Sequence, residues 1–173
     1  KKSELKVKKI IDIGRNIKRL KLAKKIGAVD EITTDIKKGV KKSLKDFEDL
    51  GIAIKIITGD SPTITKRICQ DIGIKIFEDH IITGDELENI TELELETLVQ
   101  RYNIFARINP IQKFKIISSL NKEGHIVGYL GDGINDAAAL KVADVGISVD
   151  TASGIAKDAA DVILLKKSLD VIS

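Results

Sequence analysis

His125-Ile-Val-Gly-Tyr-Leu130 runs directly into Gly131-Asp132-Gly133-Ile134-Asn135-Asp136, and the small-residue run Ala137–Ala143 follows. An apolar segment, a glycine-bearing turn and a helix start form a unit in which side chains converge on phosphate or a divalent cation. Two carboxylates and a carboxamide share one tight loop. Asp132 and Asp136, four residues apart across the helix entry, can both face one hard cation such as Mg²⁺. No upstream strand is found that ends in an aspartate placed to attack a phosphoryl group, so the loop reads as half of an active site.

The surroundings repeat the same alternation. Upstream, Asp35–Leu50 carries Val40, Leu44, Phe47 and Leu50 at helical spacing and stops at Gly51. Ile52–Ile57 is short, β-branched and nearly continuous in its apolarity, as a buried parallel strand should be. Thr58-Gly59-Asp60-Ser61-Pro62 breaks it, and Thr63–Ile72 is helical up to Gly73. Ile74–Phe77 and His80–Ile82 read as short strands, Thr91–Tyr102 as a helix and Ile104–Ile108 as a strand. Pro110 suits the first turn of a helix over Ile111–Asn121. Beyond the loop, Val145–Val149 and Val162–Leu165 are strand candidates around a helical Thr151–Ala159. Strands alternating with helices predict an α/β fold with a parallel sheet covered on both faces. Right-handed crossovers then bring Thr58-Gly59-Asp60 and Gly131–Asp136 to the same sheet edge.

At 173 residues the chain fits one domain with a sizeable core. No apolar run is long enough to cross a bilayer, which predicts a soluble chain. A single cysteine, Cys69, excludes an internal disulfide and reads as a small buried hydrophobe in a helix. The net charge of +3 is unevenly spread: residues 1–25 hold eleven Lys and Arg against Glu4 and Asp12. This basic segment, residues 1–34, is set apart from residues 35–173 and has no assigned role. No nucleic-acid partner is expected.

A phosphoryl-transfer site needs a nucleophile, a cation, donors for the phosphoryl oxygens and a fixed positive charge. Thr58 offers a hydroxyl at a strand end, and the Gly59 amide is unobstructed by a side chain. Lys113 lies in the first turn of a helix, where backbone amides already favour anions. Asp132 is the best-placed metal ligand, Asn135 can bond phosphate or hold the loop, and Asp136 is either a second ligand or a brace for the helix start. His80 and His125 have no ligand partner at useful spacing, and the acidic run Asp85–Glu96 reads as a solvated helix face.

Thr58-Gly-Asp60, Phe105-Ala-Arg107, Pro110-Ile-Gln-Lys113 and Gly131–Asp136, in that order, resemble the phosphorylation domain of P-type ATPases, a branch of the haloacid dehalogenase superfamily. Asp144–Asp150, Ile155–Leu169 and Gly124–Gly128 resemble the magnesium-transporting subgroup. The resemblance implies a Rossmann-like sheet flanked by helices, ATP and Mg²⁺ as cofactors, and a place at the cytoplasmic face of a cell membrane. It implies that Thr58 and Gly59 bind the transferred phosphoryl group, Lys113 neutralises its charge, Asp132 holds Mg²⁺ with help from Asn135 and Asp136, and Asp60 and Arg107 meet nucleotide.

The D-K-T-G-T motif, whose aspartate becomes phosphorylated in that family, does not occur here, nor do the family's nucleotide-binding and transmembrane segments. The expectation is a phosphorylation-domain portion of a cation pump, of the Mg²⁺ kind, inactive alone and completed by those segments as partners. The alternative is a stand-alone Mg²⁺- and phosphate-binding or partner-docking module. The family's first motif strand, expected between the strands ending at Thr58 and Leu130, is predicted to be missing, leaving two sticky edges unless Lys6–Ile13 fills the gap.

Overall fold

A computed structural model describes residues 7–11, 42–74, 76 and 80–165. Among the described residues, seven strands carry the fold: β1 (Val7–Ile11), β2 (Ala53–Ile57), β3 (Ile81–Thr83), β4 (Ile104–Ala106), β5 (Ile126–Leu130), β6 (Val145–Val149) and β7 (Val162–Leu164). They form one sheet in the order β3-β4-β2-β1-β5-β6-β7, and every neighbouring pair is parallel. The helices are α1 (42–49), α2 (Pro62–Ile72), α3 (Glu92–Arg101), α4 (Pro110–Lys122), α5 (Ala137–Val142) and α6 (Gly154–Ala159).

The centre of the sheet is filled. Ile11 pairs with Ile56 on one side and Leu130 on the other, so β1 lies between β2 and β5. The strand comes from within Lys6–Ile13, the condition on which a gap was to be avoided. The proposed boundary between residues 34 and 35 and the start of the Asp35–Leu50 helix lie outside the described residues.

Side-chain alternation explains the layers. Ile57, Phe105, Val127 and Tyr129 face a core shared with α3, α4, α5 and α6. Their chain neighbours Ile56, Ile104 and Leu130 face the other side, where Phe47 of α1 and Ile72 and Cys69 of α2 cover them. Burial raises the Cys69 thiol to about 11, the environment of an inert core residue.

Local signals set the helix starts. Asn109 caps α4 in a capping box with Gln112, with Pro110 in the first turn; Thr91 and Glu94 form the equivalent box on α3. Ser61 caps α2, and Gly73 ends it with φ 84°, a left-handed conformation that glycine adopts at no steric cost. One expected strand differs: Ile74 and Ile76 are outside any strand, and the Ile74 amide instead bonds back to the Cys69 carbonyl.

Lys55 interrupts the otherwise apolar β2. It is 1% exposed, and its Nζ donates to the Tyr102 carbonyl at 2.6 Å and to Asn103 Oδ1 at 2.9 Å. A buried ammonium is tolerated because those oxygens replace water.

Candidate phosphoryl and metal site

The sheet is built outward in both directions from β1: β2, β4 and β3 lie to one side, β5, β6 and β7 to the other. In a parallel sheet such a switch point opens a crevice beyond the carboxyl ends of the strands. Thr58 follows β2 and Gly131 follows β5 within one residue of the same height, since Ile56 and Leu130 both pair with Ile11. Two strand spacings separate them, about 10 Å. Asp12 follows Ile11 in the sequence and lies outside the described residues.

On the β2 side, Thr58 is 4% exposed. Its amide donates to the Phe105 carbonyl and its carbonyl accepts from the Ile108 amide, both at 2.9 Å; its Oγ1 accepts from the Asp60 amide at 3.1 Å. The Asp60 carbonyl accepts from the Arg107 amide at 2.8 Å. The Thr58-Gly59-Asp60 turn is thereby stitched to the loop that leads into α4 and Lys113, while Gly59 itself is exposed.

On the β5 side, the decisive contact joins Lys113 to Asp136. Lys113 Nζ lies 2.7 Å from Asp136 Oδ1, with the two side chains 7% and 2% exposed. Tyr129 Oη donates to the same oxygen at 3.1 Å, and the Gly133 amide donates to Oδ2 at 2.9 Å. A Cβ on Gly131 would come within 2.7 Å of Asp136 Cβ and 3.0 Å of Tyr129 Cε1, so only glycine lets the loop close over this group. Ser148 Oγ donates to the Gly131 carbonyl at 2.9 Å from below.

Asp132 and Asn135 differ from Asp136. Asp132 is partly exposed and Asn135 exposed, and among the described residues neither side chain has a recorded hydrogen bond. The Asp132 carbonyl is fixed by the Ser153 amide at 3.1 Å, which anchors the loop to the start of α6. Among the described residues no group of three His, Cys, Asp or Glu side chains gathers as a metal cage. One or two carboxylates with water and phosphate oxygens are what Mg²⁺ commonly takes, so the donor set fits that ion.

Arg107 stands apart from this cluster. It is exposed, has a positive φ of 55°, and its guanidinium donates to Asp85 Oδ2 at 2.9 Å beside β3. Gly84 allows that approach, since a Cβ there would meet the Arg107 carbonyl at 2.3 Å. Two participants were not singled out from the sequence. Tyr129 passed as one more apolar strand residue, and Gln112, whose Nε2 donates to the Gly84 carbonyl at 2.8 Å, passed as a helix residue. The histidines are peripheral, with His125 Nε2 3.1 Å from Gln100 Oε1.

A family model described as haloacid dehalogenase-like hydrolase matches residues 4–144. The chain belongs to that family. Within it, this haloacid dehalogenase-like chain is 48% identical over 136 residues to the magnesium-transporting ATPase, P-type 1, of Salmonella typhimurium strain LT2, an alignment covering 79% of the chain and 15% of the relative. It is 47% identical over 130 residues to the Escherichia coli K12 protein of the same name, covering 75% and 14%. It is 39% identical over 140 residues to calcium-transporting ATPase 1 of Bacillus cereus, covering 80% and 15%. The chain thus spans about 15% of the length of these relatives. Among solved structures, the catalytic domain of the CPx-ATPase CopB-B superposes with a TM-score of 0.58 at 26% identity, covering 77% of this chain and 42% of that one. A zinc-transporting PIB-type ATPase gives 0.52 at 25% identity, covering 71% and 16%. The P-type cation-transporting resemblance drawn from the four motifs is therefore met. Among the described residues no helix is long and apolar enough to cross a membrane.

Proposed function

We propose that this chain is the phosphoryl-handling portion of a P-type ATPase that couples ATP hydrolysis to cation transport, with Mg²⁺ as the transported cation. The observation that carries the reading is the buried pair between Lys113 of α4 and Asp136 of the loop after β5, a loop that leaves the sheet two strands away from the Thr58 turn. In this reading the Thr58 hydroxyl and Gly59 amide bind the transferred phosphoryl group. Lys113 offsets its charge, and Asp60 and Arg107 meet the nucleotide. Asp132 holds Mg²⁺, which supplies charge neutralisation at the phosphoryl oxygens. Asn135 supports the loop. Asp136 already receives three donors, so it joins the ion only by giving up Lys113 or Tyr129; otherwise it braces the loop. The nucleotide-binding and membrane segments of the whole pump are the partners, and the domain works at the cytoplasmic face of the membrane.

Calorimetry with Mg²⁺ and inorganic phosphate tests the site. The chain should bind phosphate only when Mg²⁺ is present, and Asp132→Ala should abolish that dependence. Phosphate binding that is indifferent to Mg²⁺ and to Asp132→Ala would sink the reading.

ATP turnover is the second test. Without the D-K-T-G-T aspartate no covalent intermediate forms, so the isolated chain should not hydrolyse ATP. Mg²⁺-dependent turnover that disappears in Asp132→Ala would overturn that expectation. If it disappeared in Asp12→Asn as well, the nucleophile would be the residue that follows β1.

A further inference from the structure

Asp136 Oδ1 takes two donors of unequal mobility. Lys113 Nζ, at 2.7 Å, ends a long flexible side chain; Tyr129 Oη, at 3.1 Å, is fixed by a ring that is fully buried in the core beneath the loop. Asp136 Oδ2 is held by the Gly133 amide of its own loop, so the position of this carboxylate and the shape of the Gly131–Asp136 turn are one property. An ammonium has three N–H donors and can serve a carboxylate and an anion together, but drawing it towards an anion weakens its share in Asp136. A buried carboxylate that loses a donor is costly unless another donor stays in place.

We propose that Tyr129 is a positioning residue for phosphate binding: its hydroxyl keeps Asp136 satisfied, so that Lys113 can turn part of its charge to a bound phosphoryl group. The inference rests on the phosphate site described above and adds a residue that none of the motifs contains. Tyr129→Phe keeps the ring and its packing against Gly131 and removes only the donor. Lys113 is then more tightly committed to Asp136, and phosphate pays for the competition with lower affinity. The resting loop keeps its shape, because Lys113 and Gly133 still hold the carboxylate.

The chain has no tryptophan and two tyrosines, Tyr102 and Tyr129. In a Tyr102→Phe chain the near-ultraviolet tyrosine band therefore reports on the Tyr129 hydroxyl alone. Adding inorganic phosphate with Mg²⁺ should shift that band, with the midpoint found by calorimetry. Tyr129→Phe should weaken phosphate binding roughly 10-fold, the scale of one hydrogen bond to a charged group, while melting within a few degrees of the parent. In an Asp136→Asn background the same change should have little further effect, because the hydroxyl acts through that carboxylate. Affinity within two-fold of the parent, an equal loss in the Asp136→Asn background, or an unmoved tyrosine band would overturn the role of Tyr129 while leaving the phosphate site standing. If Asp136→Asn does not fold, the band shift and the Tyr129→Phe affinity decide. A parent chain that binds no phosphate with Mg²⁺ overturns both the site and this role.

Discussion

A chain that begins at residue 15 should lack a single cooperative melt and elute as expanded or associated material, whereas the full chain should melt in one transition. β1 is hydrogen-bonded on both sides, to β2 from Lys8 to Ile11 and to β5 from Val7 to Ile11. Without it the sheet separates into β3-β4-β2 and β5-β6-β7, and β2 and β5 become unpaired edges whose side chains belong to the core. Exposed apolar edges recruit other chains. Among the described residues, helix packing and side-chain contacts such as Lys113–Asp136 and Gln100–His125 would then bridge the halves. Ile10→Pro is a gentler version, since proline in a central strand removes a ladder donor and is confined in native sheets to edges and bulges. It should fail in the same direction. Differential scanning calorimetry with size exclusion decides: a truncated chain that stays monomeric and melts near the full chain's temperature would show that β1 contributes little.

That strand also marks where the sequence stops being legible. β2 and β5 are apolar almost throughout, as strands covered on both faces should be, and both were located to within a residue or two. In β1, Lys8 and Lys9 interrupt the apolar run, and the many charges around it make residues 1–25 look like a solvated tail. Its place depends on pairing with residues more than 40 positions away, which no local pattern encodes. The same limit applies within the site. The turn residues and their shared sheet edge follow from glycine spacing and crossover handedness, because both are local or topological rules. The hydrogen bond from Tyr129 to Asp136 joins positions only seven apart, yet it depends on how the 134–136 turn folds back over the end of β5. Lys55 shows the converse case. A lysine inside an apolar run would be expected to snorkel, but the turn after α3 supplies two oxygens that let it stay buried.

Two ion pairs of equal length should respond to mutation in opposite ways. Lys113–Asp136 and Lys122–Glu92 both measure 2.7 Å, but the first is almost wholly enclosed and the second is 56% and 84% exposed. On the surface, water and salt screen the charges and the long side chains lose entropy when held together. The lowered Glu92 and raised Lys122 pKa values, caused by their mutual hydrogen bond, report the contact without making it a source of stability. Glu92→Gln should therefore leave the melting temperature essentially unmoved. In the interior, removing one partner takes the nearest opposite charge from the other where little water can replace it. Asp136→Ala or Lys113→Ala should each cost about 3–5 kcal/mol. For a domain of this size that lowers the melting temperature by roughly 6–20 °C. Replacing both partners, as Lys113→Met with Asp136→Asn, removes the charges together, while the asparagine oxygen can accept from the Gly133 amide and its NH2 can donate to the Tyr129 hydroxyl. The double variant should melt above either alanine variant and still fail to bind phosphate. Stability and charge would then separate: the pair's burial governs the first, and the freedom of Lys113 to turn from Asp136 governs the second. Equal losses from Glu92→Gln and Asp136→Ala, or a double variant no better than the singles, would mean that burial does not set the energetics of this loop.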